Sequence, residues 1–172
     1  MNPIRKLFCA LGIAAIAIVI DQTSKAVALE YLSQPPGELD VTPFLTLRLG
    51  FNTGISFGLF QSTFAAWPWL LIAIQLGVVV AMIWFAVAAQ SDYDSAAFSL
   101  IAGGAIGNIL DRSRAGAVTD FLDLHWRGWH WPTFNLADVA ICLGVALLLA
   151  TTIRPASAAS VSTSQHHDGA KQ

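Results

Sequence analysis

Residues 103–141 read GGAIGNILDRSRAGAVTDFLDLHWRGWHWPTFNLADVAI and join two apolar helices, which we predict at about 96–112 and 134–153. The stretch concentrates charged and amide side chains in a chain that is otherwise nearly free of charge. Charged groups at the edge of a bilayer are costly unless they are paired or hydrated, so such a cluster predicts a functional site. Its members are Asn108, Asp111, Arg112, Arg114, Asp120, Asp123, Asn135 and Asp138.

The composition around this stretch is that of an integral membrane protein. Of 172 residues, 55% are hydrophobic and only 12% are charged, too few to cover the surface of a water-soluble domain. A net charge of -2 and the absence of a basic run argue against a nucleic-acid partner. Cys9 and Cys142 lie within apolar runs, where they act as small hydrophobic residues rather than as a disulfide.

The fold class that we predict is a mainly α membrane protein with four transmembrane helices. The second helix has no ionisable residue in 25 positions, enough to span a hydrocarbon core of roughly 30 Å. Glycines in the third helix, at 103, 104 and 107, would let a neighbouring helix approach closely. Residues 1–155 are predicted to form a single integral membrane domain, followed by a disordered tail at 156–172. The four helices are predicted at about 7–29, 65–89, 96–112 and 134–153.

A small extracytoplasmic β-element is predicted between helices 1 and 2, at about 41–60. Apolar residues alternate over Phe44–Leu49, and glycines recur at 50, 54 and 58, which favours short strands with tight turns. Asn52 in this segment is, on its own, most simply a turn asparagine. The tryptophan-rich segment from His125 to Pro132 is predicted to be a loop in the headgroup layer.

The first helix permits two interpretations. Arg5 and Lys6 precede an apolar run, as in a cleavable secretory signal. Asp21 and Lys25, four residues apart on one helical face, favour a helix that continues and is retained. The pair either closes the helix in the headgroup layer or faces the site as a polar clamp, and the sequence leaves both open.

Four spans place both termini on one side of the membrane. Arg5, Lys6 and Arg154 favour the cytoplasm for that side. Four other arginines fall on the opposite side, and we interpret them as ligands of the site or of phospholipid headgroups. They are Arg48, Arg112, Arg114 and Arg127.

The chemistry is predicted to depend on Asp120 and Asp138. Asp138 lies in the first turn of the fourth helix with Asn135 as a candidate N-cap, so both carboxylates belong to one membrane face. If they meet, repulsion and desolvation would leave the pair with one shared proton, suited to activating water while polarising a carbonyl. The alternatives are a helix N-terminal acid for Asp138 and a solvated loop acid for Asp120.

Two other classes of function compete with this hypothesis. A small transporter could use the acids as a proton relay, although such acids are usually placed near the bilayer midplane. A non-enzymatic membrane scaffold would account for the glycines and leave the acids unexplained. No serine or cysteine nucleophile with a partnered base, and no set of metal ligands, is visible in the sequence.

Five sequence blocks, in order, resemble those of the lipoprotein signal peptidases, or signal peptidase II, which are bacterial membrane aspartyl proteases. The resemblance extends from Asp21 to the end of the fourth helix. The blocks are DQTSK at Asp21–Lys25, NTGISFG at Asn52–Gly58, GGAIGNILDR at Gly103–Arg112, GAVTDF at Gly116–Phe121 and FNLAD at Phe134–Asp138.

The resemblance implies an aspartic endopeptidase that removes the signal peptide of diacylglyceryl-modified prolipoproteins, cutting just before the lipidated cysteine. It implies a monomer in the bacterial inner membrane, in contact with the phospholipid bilayer, with an extracytoplasmic site and no cofactor or metal. Asp120 and Asp138 would be the catalytic pair. The residues that would line or brace the site are Asp21, Lys25, Asn52, Gly54, Asn108, Asp111, Arg112 and Asn135.

Overall fold

The computed structural model describes residues 2–54 and 67–153. Within these ranges there are four long helices and four strands. Part of the predicted β-element (55–60) and the predicted disordered tail (156–172) lie outside the described residues. The elements are α1 (Pro3–Leu32), β1 (Glu38–Thr42), β2 (Leu45–Asn52), α2 (Pro68–Ala88), α3 (Asp92–Ala115), β3 (Val118–Trp126), β4 (Trp129–His130) and α4 (Leu136–Ile153).

The helix ends are set by capping residues that the apolar runs did not reveal. At α1 the side chain of Asn2 accepts a hydrogen bond from the Ile4 amide at 3.0 Å, so the helix begins at Pro3 rather than at 7. At α3 the hydroxyl of Ser91 accepts from the Tyr93 amide at 3.2 Å, so this helix begins at Asp92 rather than at 96.

Within the described residues, three helices are long and apolar enough to cross a membrane: Pro3–Leu32, Trp69–Ala88 and Leu136–Ile153. Large apolar side chains such as Ile16, Val80 and Leu149 point away from the protein, as expected for helices surrounded by lipid. α3 is less apolar than the others, and its buried residues extend from Ser95 to Ile109. The chain is therefore a mainly helical, multi-pass membrane protein with α3 at the centre of its bundle.

The glycines of α3 allow the neighbouring helices to pack closely against it. A Cβ atom added at Gly103 would lie 2.7 Å from the Ala14 carbonyl oxygen of α1. On α4, a Cβ atom at Gly144 would lie 2.6 Å from the Ala97 carbonyl oxygen of α3. Both distances are too short for a side chain, so the predicted use of glycine for close helix packing is confirmed at Gly103.

The strands form one antiparallel sheet in the order β1-β2-β3-β4 among the described residues. Of the four described strands, β1 and β2 lie between the first two helices, whereas β3 and β4 follow α3. The loop predicted from His125 to Pro132 was therefore wrong, because β3 extends to Trp126 and β4 covers Trp129–His130. Arg127 and Gly128, both with positive φ, form the two-residue turn of a hairpin.

β3 joins the sheet to the helix ends and thereby positions the acid that it carries. Its Phe121 is buried with Ala28 and Leu32 at the end of α1. Along its edge with β2, β3 pairs Asp120 with Gly50, next to an irregularity in the register between Leu47 and Gly50. Asp120 is consequently held at the junction of sheet and bundle.

Candidate active site

The two predicted acids, Asp120 and Asp138, line the same cavity. It has a volume of about 360 Å³ and lies between strands β2 and β3 and helices α2, α3 and α4. Asp120 reaches it from β3, and Asp138 reaches it from the first turn of α4. Three other predicted site residues line it as well: Asn52, Asn108 and Arg112.

Asp120 is a buried acid rather than a solvated loop acid. Its side chain is 3% exposed, and its Oδ1 accepts a hydrogen bond from Asn135 Nδ2 at 2.6 Å. Burial, followed by the negative charge of Asp138, raises the pKa of Asp120 from 3.8 to about 7. Hydrogen bonds from Asn135 and Asn52 and the charge of Lys25 act in the opposite direction. Asp120 therefore exchanges its proton near neutral pH.

Asn135 caps α4, as the sequence predicted, and in doing so fixes Asp138. The Asp138 amide donates to Asn135 Oδ1 at 3.0 Å, and the Asn135 amide donates to Asp138 Oδ2 at 3.3 Å. This reciprocal pair is a capping box with aspartate in the acidic position. Because its oxygen serves the cap, Asn135 directs its side-chain nitrogen towards Asp120, and the one residue orients both acids.

Asn108 connects the acids to the buried charges behind them. Its Nδ2 donates to Asp138 Oδ1 at 3.0 Å, and its Oδ1 accepts from Lys25 Nζ at 3.1 Å. Asn135 Nδ2 also donates to Asn108 Oδ1, at 3.3 Å. With donors on its oxygen and an acceptor at its nitrogen, the Asn108 amide has one favourable orientation.

Asp21, Lys25 and Asp111 form a buried ionic network next to the acids. Lys25 Nζ lies 2.8 Å from Asp21 Oδ2 and 3.1 Å from Asp111 Oδ2. Lys25 is 3% exposed and Asp21 is fully buried, so this pair does not close the helix in the headgroup layer. The alternative interpretation, a polar clamp that faces the site, fits this geometry.

The same network holds the two elements that carry the acids. Asp21 Oδ1 accepts a hydrogen bond from the Ala137 amide at 2.8 Å, one residue before Asp138. Asp111 Oδ2 accepts one from the Thr119 amide at 3.0 Å, one residue before Asp120. The first hydrogen bond joins α4, which carries Asp138, to α1. The second joins β3, which carries Asp120, to α3.

Asn52 is a turn asparagine, as the sequence favoured, and it also lines the cavity. Its Oδ1 accepts a hydrogen bond from the Gly54 amide at 2.9 Å, as a turn asparagine does. Its side chain also lines the cavity near Asp120, where it acts to lower the pKa of that carboxyl. Arg112 supports this turn, because its Nη2 donates to the Gly54 carbonyl at 2.6 Å.

Two members of the charged cluster that the sequence predicted, Asp123 and Arg114, lie outside the cavity. Asp123 is three residues from Asp120, and side chains three positions apart on a strand point to opposite faces. It accepts from Arg48 Nε at 2.8 Å and pairs with His130 at 2.9 Å. Arg114 is exposed and donates to Gln22 Oε1 at 2.8 Å.

Sequence reasoning missed three residues of this region. Gln22 donates to Asp111 Oδ1 at 2.9 Å, and it lies inside the DQTSK block. Thr133 and Gln75 line the cavity. Gln75 carried a signal, because it is the one amide side chain in an otherwise apolar helix. No pattern in the sequence pointed to Thr133.

Comparisons with known proteins agree on one family. Residues 13–154 match the family described as Signal peptidase (SPase) II. The lipoprotein signal peptidase of Polynucleobacter necessarius subsp. necessarius (strain STIR1) is 45% identical over 141 residues, 81% of this chain and 85% of that protein. The lipoprotein signal peptidase of Anaplasma phagocytophilum (strain HZ) is 37% identical over 153 residues, 89% and 97% of the two chains.

Solved structures show the same likeness in three dimensions. A bacterial membrane enzyme determined by the in meso method at 2.3 Å resolution aligns with a TM-score of 0.70 and 28% identity, covering 84% of this chain and 87% of that one. A second, at 1.9 Å resolution, aligns with a TM-score of 0.69 and 26% identity, covering 86% and 94%. The chain belongs to the signal peptidase II family, the lipoprotein signal peptidases of bacterial membranes.

Proposed function

We propose that the protein is an aspartic endopeptidase that removes the signal peptide from diacylglyceryl-modified prolipoproteins, and that Asp120 and Asp138 are its catalytic pair. The cut falls just before the lipidated cysteine. The observation that carries the proposal is that one residue, Asn135, orients both carboxylates in one cavity. Family membership supports the substrate class.

The two acids divide the proton transfers of peptide hydrolysis. Asp120, with a pKa of about 7, keeps its proton up to neutral pH and donates it to the carbonyl oxygen. Asp138 takes a proton from the attacking water, whose oxygen bonds to the carbonyl carbon. Asp138 then gives that proton to the leaving amine as the C–N bond breaks, and a hydroxyl of the tetrahedral intermediate returns a proton to Asp120.

The other site residues support these two. Lys25 and Asn108 hold Asp138 through a relay of hydrogen bonds, and Asp21 and Asp111 compensate the charge of Lys25. Asn52 contacts the substrate backbone near the dyad and, with Gly54, lets it approach closely.

The position of the cavity suits a substrate that never leaves the bilayer. Its wall on α2 and α4 includes the apolar side chains of Leu71, Ile74 and Ile141, while Asp120 and Asn52 lie on the sheet side. We place the sheet at the extracytoplasmic surface, with both termini in the cytoplasm. α3, with 24 residues and a length of roughly 36 Å, then provides the fourth transmembrane span. The protein acts as a monomer surrounded by phospholipid.

Cleavage of a defined peptide tests the proposal. The purified protein in lipid nanodiscs is incubated with a synthetic prolipoprotein peptide whose cysteine carries a diacylglyceryl group, and products are identified by mass spectrometry. We expect a single cut before the lipidated cysteine and far slower cleavage of the same peptide without the lipid. Cleavage at another bond, or none, contradicts the proposed function.

A further inference from the structure

Gln75 occupies a position of α2 at which the pattern of buried residues predicts an apolar side chain. It is four residues from Leu71 and four from Val79, both buried, so the three share one helical face. That face packs on α3, where Val79 belongs to a cluster with Ala105 and Ile109. About 10 Å along the helix from its start, Gln75 places an amide among hydrocarbon.

Gln75 Oε1 is buried and accepts no hydrogen bond from residues 2–54 or 67–153. Arg112 Nε is in the same situation within these ranges: it is buried and donates to no acceptor. Both residues line the cavity that contains Asp120 and Asp138. A buried polar atom without a partner disfavours folding, and few such atoms occur in a protein. Two of them around one catalytic cavity indicate a ligand with complementary groups.

A ligand that forms hydrogen bonds with both atoms must have a donor and an acceptor. The carbonyl oxygen of Gln75 can only accept, and the Nε–H of Arg112 can only donate. The backbone of a peptide offers both, in its N–H and C=O groups, whereas the ester groups of a diacylglyceryl chain offer acceptors alone. Peptide backbone is therefore the better match for Gln75.

We propose that Gln75 is a substrate-positioning residue whose side-chain carbonyl accepts a hydrogen bond from a backbone N–H of the extended peptide in the cavity. This inference rests on the proposed endopeptidase function and deepens it. A peptide stretched for cleavage loses its helical hydrogen bonds, and where it lies in the hydrocarbon, away from the water at the dyad, no water replaces them. An amide on α2 at this depth satisfies one of the exposed N–H groups and fixes the register of the chain.

The variant Gln75→Met tests this role because methionine keeps the length of the side chain and removes the carbonyl. We expect kcat/KM for the lipidated peptide to fall about three- to ten-fold, mainly through a higher KM. The melting temperature should stay the same or rise, because a buried unpaired atom is removed. The control is Leu76→Met on the neighbouring, lipid-facing position, which should change neither quantity. A merely structural glutamine would lose activity and stability together.

The peptide itself supplies the matching half of the experiment. A series of lipidated peptides is prepared in which one backbone N–H at a time, upstream of the cysteine, is replaced by an ester oxygen. At one position the replacement should slow the wild-type protein and have no further effect on Gln75→Met. Equal losses in both proteins at every position, unchanged cleavage by Gln75→Met, or loss of its activity in step with its melting temperature would each overturn the inference.

Failure of the proposed function would be seen separately, as absence of cleavage by the wild-type protein and by Leu76→Met. The same peptides are therefore also titrated in a binding measurement. Weaker binding to Gln75→Met than to Leu76→Met then supports the positioning role, and equal binding overturns it.

Discussion

Asn135 Nδ2 lies 2.6 Å from Asp120 Oδ1, while the rest of Asn135 caps the helix whose first turn carries Asp138. One buried residue therefore contacts both acids directly, in addition to the backbone hydrogen bonds that hold the sheet and the helix separately. Helix capping, usually a matter of stability, becomes here a device that positions a pair of carboxylates.

Substitutions of Asn135 can separate its role as the cap of α4 from its contact with Asp120. Asn135→Ser keeps a capping oxygen and loses the nitrogen that faces Asp120, so we expect turnover to fall about ten- to a hundred-fold with little change in stability. Asn135→Ala should lose activity similarly and in addition about 1 kcal/mol of folding free energy. Peptide cleavage and thermal unfolding measure the two effects. A serine variant with full activity would show that the contact with Asp120 is dispensable.

The pKa of Asp120 predicts how activity and stability depend on pH. Because its proton is needed in the proposed reaction and its pKa in the free protein is about 7, kcat/KM should fall as the pH rises through about 7. The folded-state pKa lies above the ordinary 3.8, so Asp120 does not disfavour folding below about pH 4. Its cost to folding grows from about pH 4, where only the unfolded chain loses the proton, to about pH 7, and is constant above that.

Asp120→Asn should for this reason melt higher than the wild-type protein at pH 8, and the difference should shrink towards pH 4. Scanning calorimetry in one detergent at both pH values makes the comparison. A difference in melting temperature that is constant from pH 4 to 8 would contradict the assigned pKa.

Lys25 is predicted to be essential for folding. Lys25→Met leaves Asp21 and Asp111 buried without their counter-ion, and removing one partner of a buried ion pair costs about 3–5 kcal/mol. Arg114→Met, which removes an exposed cation from the same region, should cost at most about 1 kcal/mol. Thermal unfolding of both variants gives the comparison. Similar, small losses in the two would mean that the ionic network contributes little.

Asn52 can be tested by a conservative exchange. Asn52→Asp keeps the oxygen that accepts from the Gly54 amide and replaces the amide nitrogen that we propose contacts the substrate near Asp120. We expect a loss of turnover of about ten- to a hundred-fold without loss of the folded state, and Asn52→Ala should lose activity to a similar degree. An aspartate variant as active as the wild-type protein would reduce Asn52 to a turn residue.

The sequence predicted the helices well because apolar runs between polar turns define lipid-spanning segments almost alone. The ends of α1 and α3 were wrong by a few residues, since they depend on capping by Asn2 and Ser91. β3 was missed because Trp126 and its neighbours were assigned to headgroups, although VTDFLDLHW alternates as a strand does.

The site residues were predicted from five short sequence blocks. The structure brings the two blocks that contain Asp120 and Asp138 to one cavity. Their connections could not be predicted. That Asp21 holds the Ala137 amide, or that Asn135 serves both acids, depends on how α1, β3 and α4 pack, which no local pattern encodes.

The most direct test of the account compares three variants that differ only in which acid is neutralised. Cleavage of the diacylglyceryl-modified peptide is measured for Asp120→Asn, Asp138→Asn and Asp123→Asn, each first shown to be folded. Asp123 is the matched control, because it is buried on the same strand as Asp120 and faces away from the cavity towards Arg48 and His130. We predict that the first two variants have no measurable activity and that Asp123→Asn cleaves like the wild-type protein. Activity above a few per cent in a folded Asp120→Asn or Asp138→Asn would contradict the assignment of the catalytic pair.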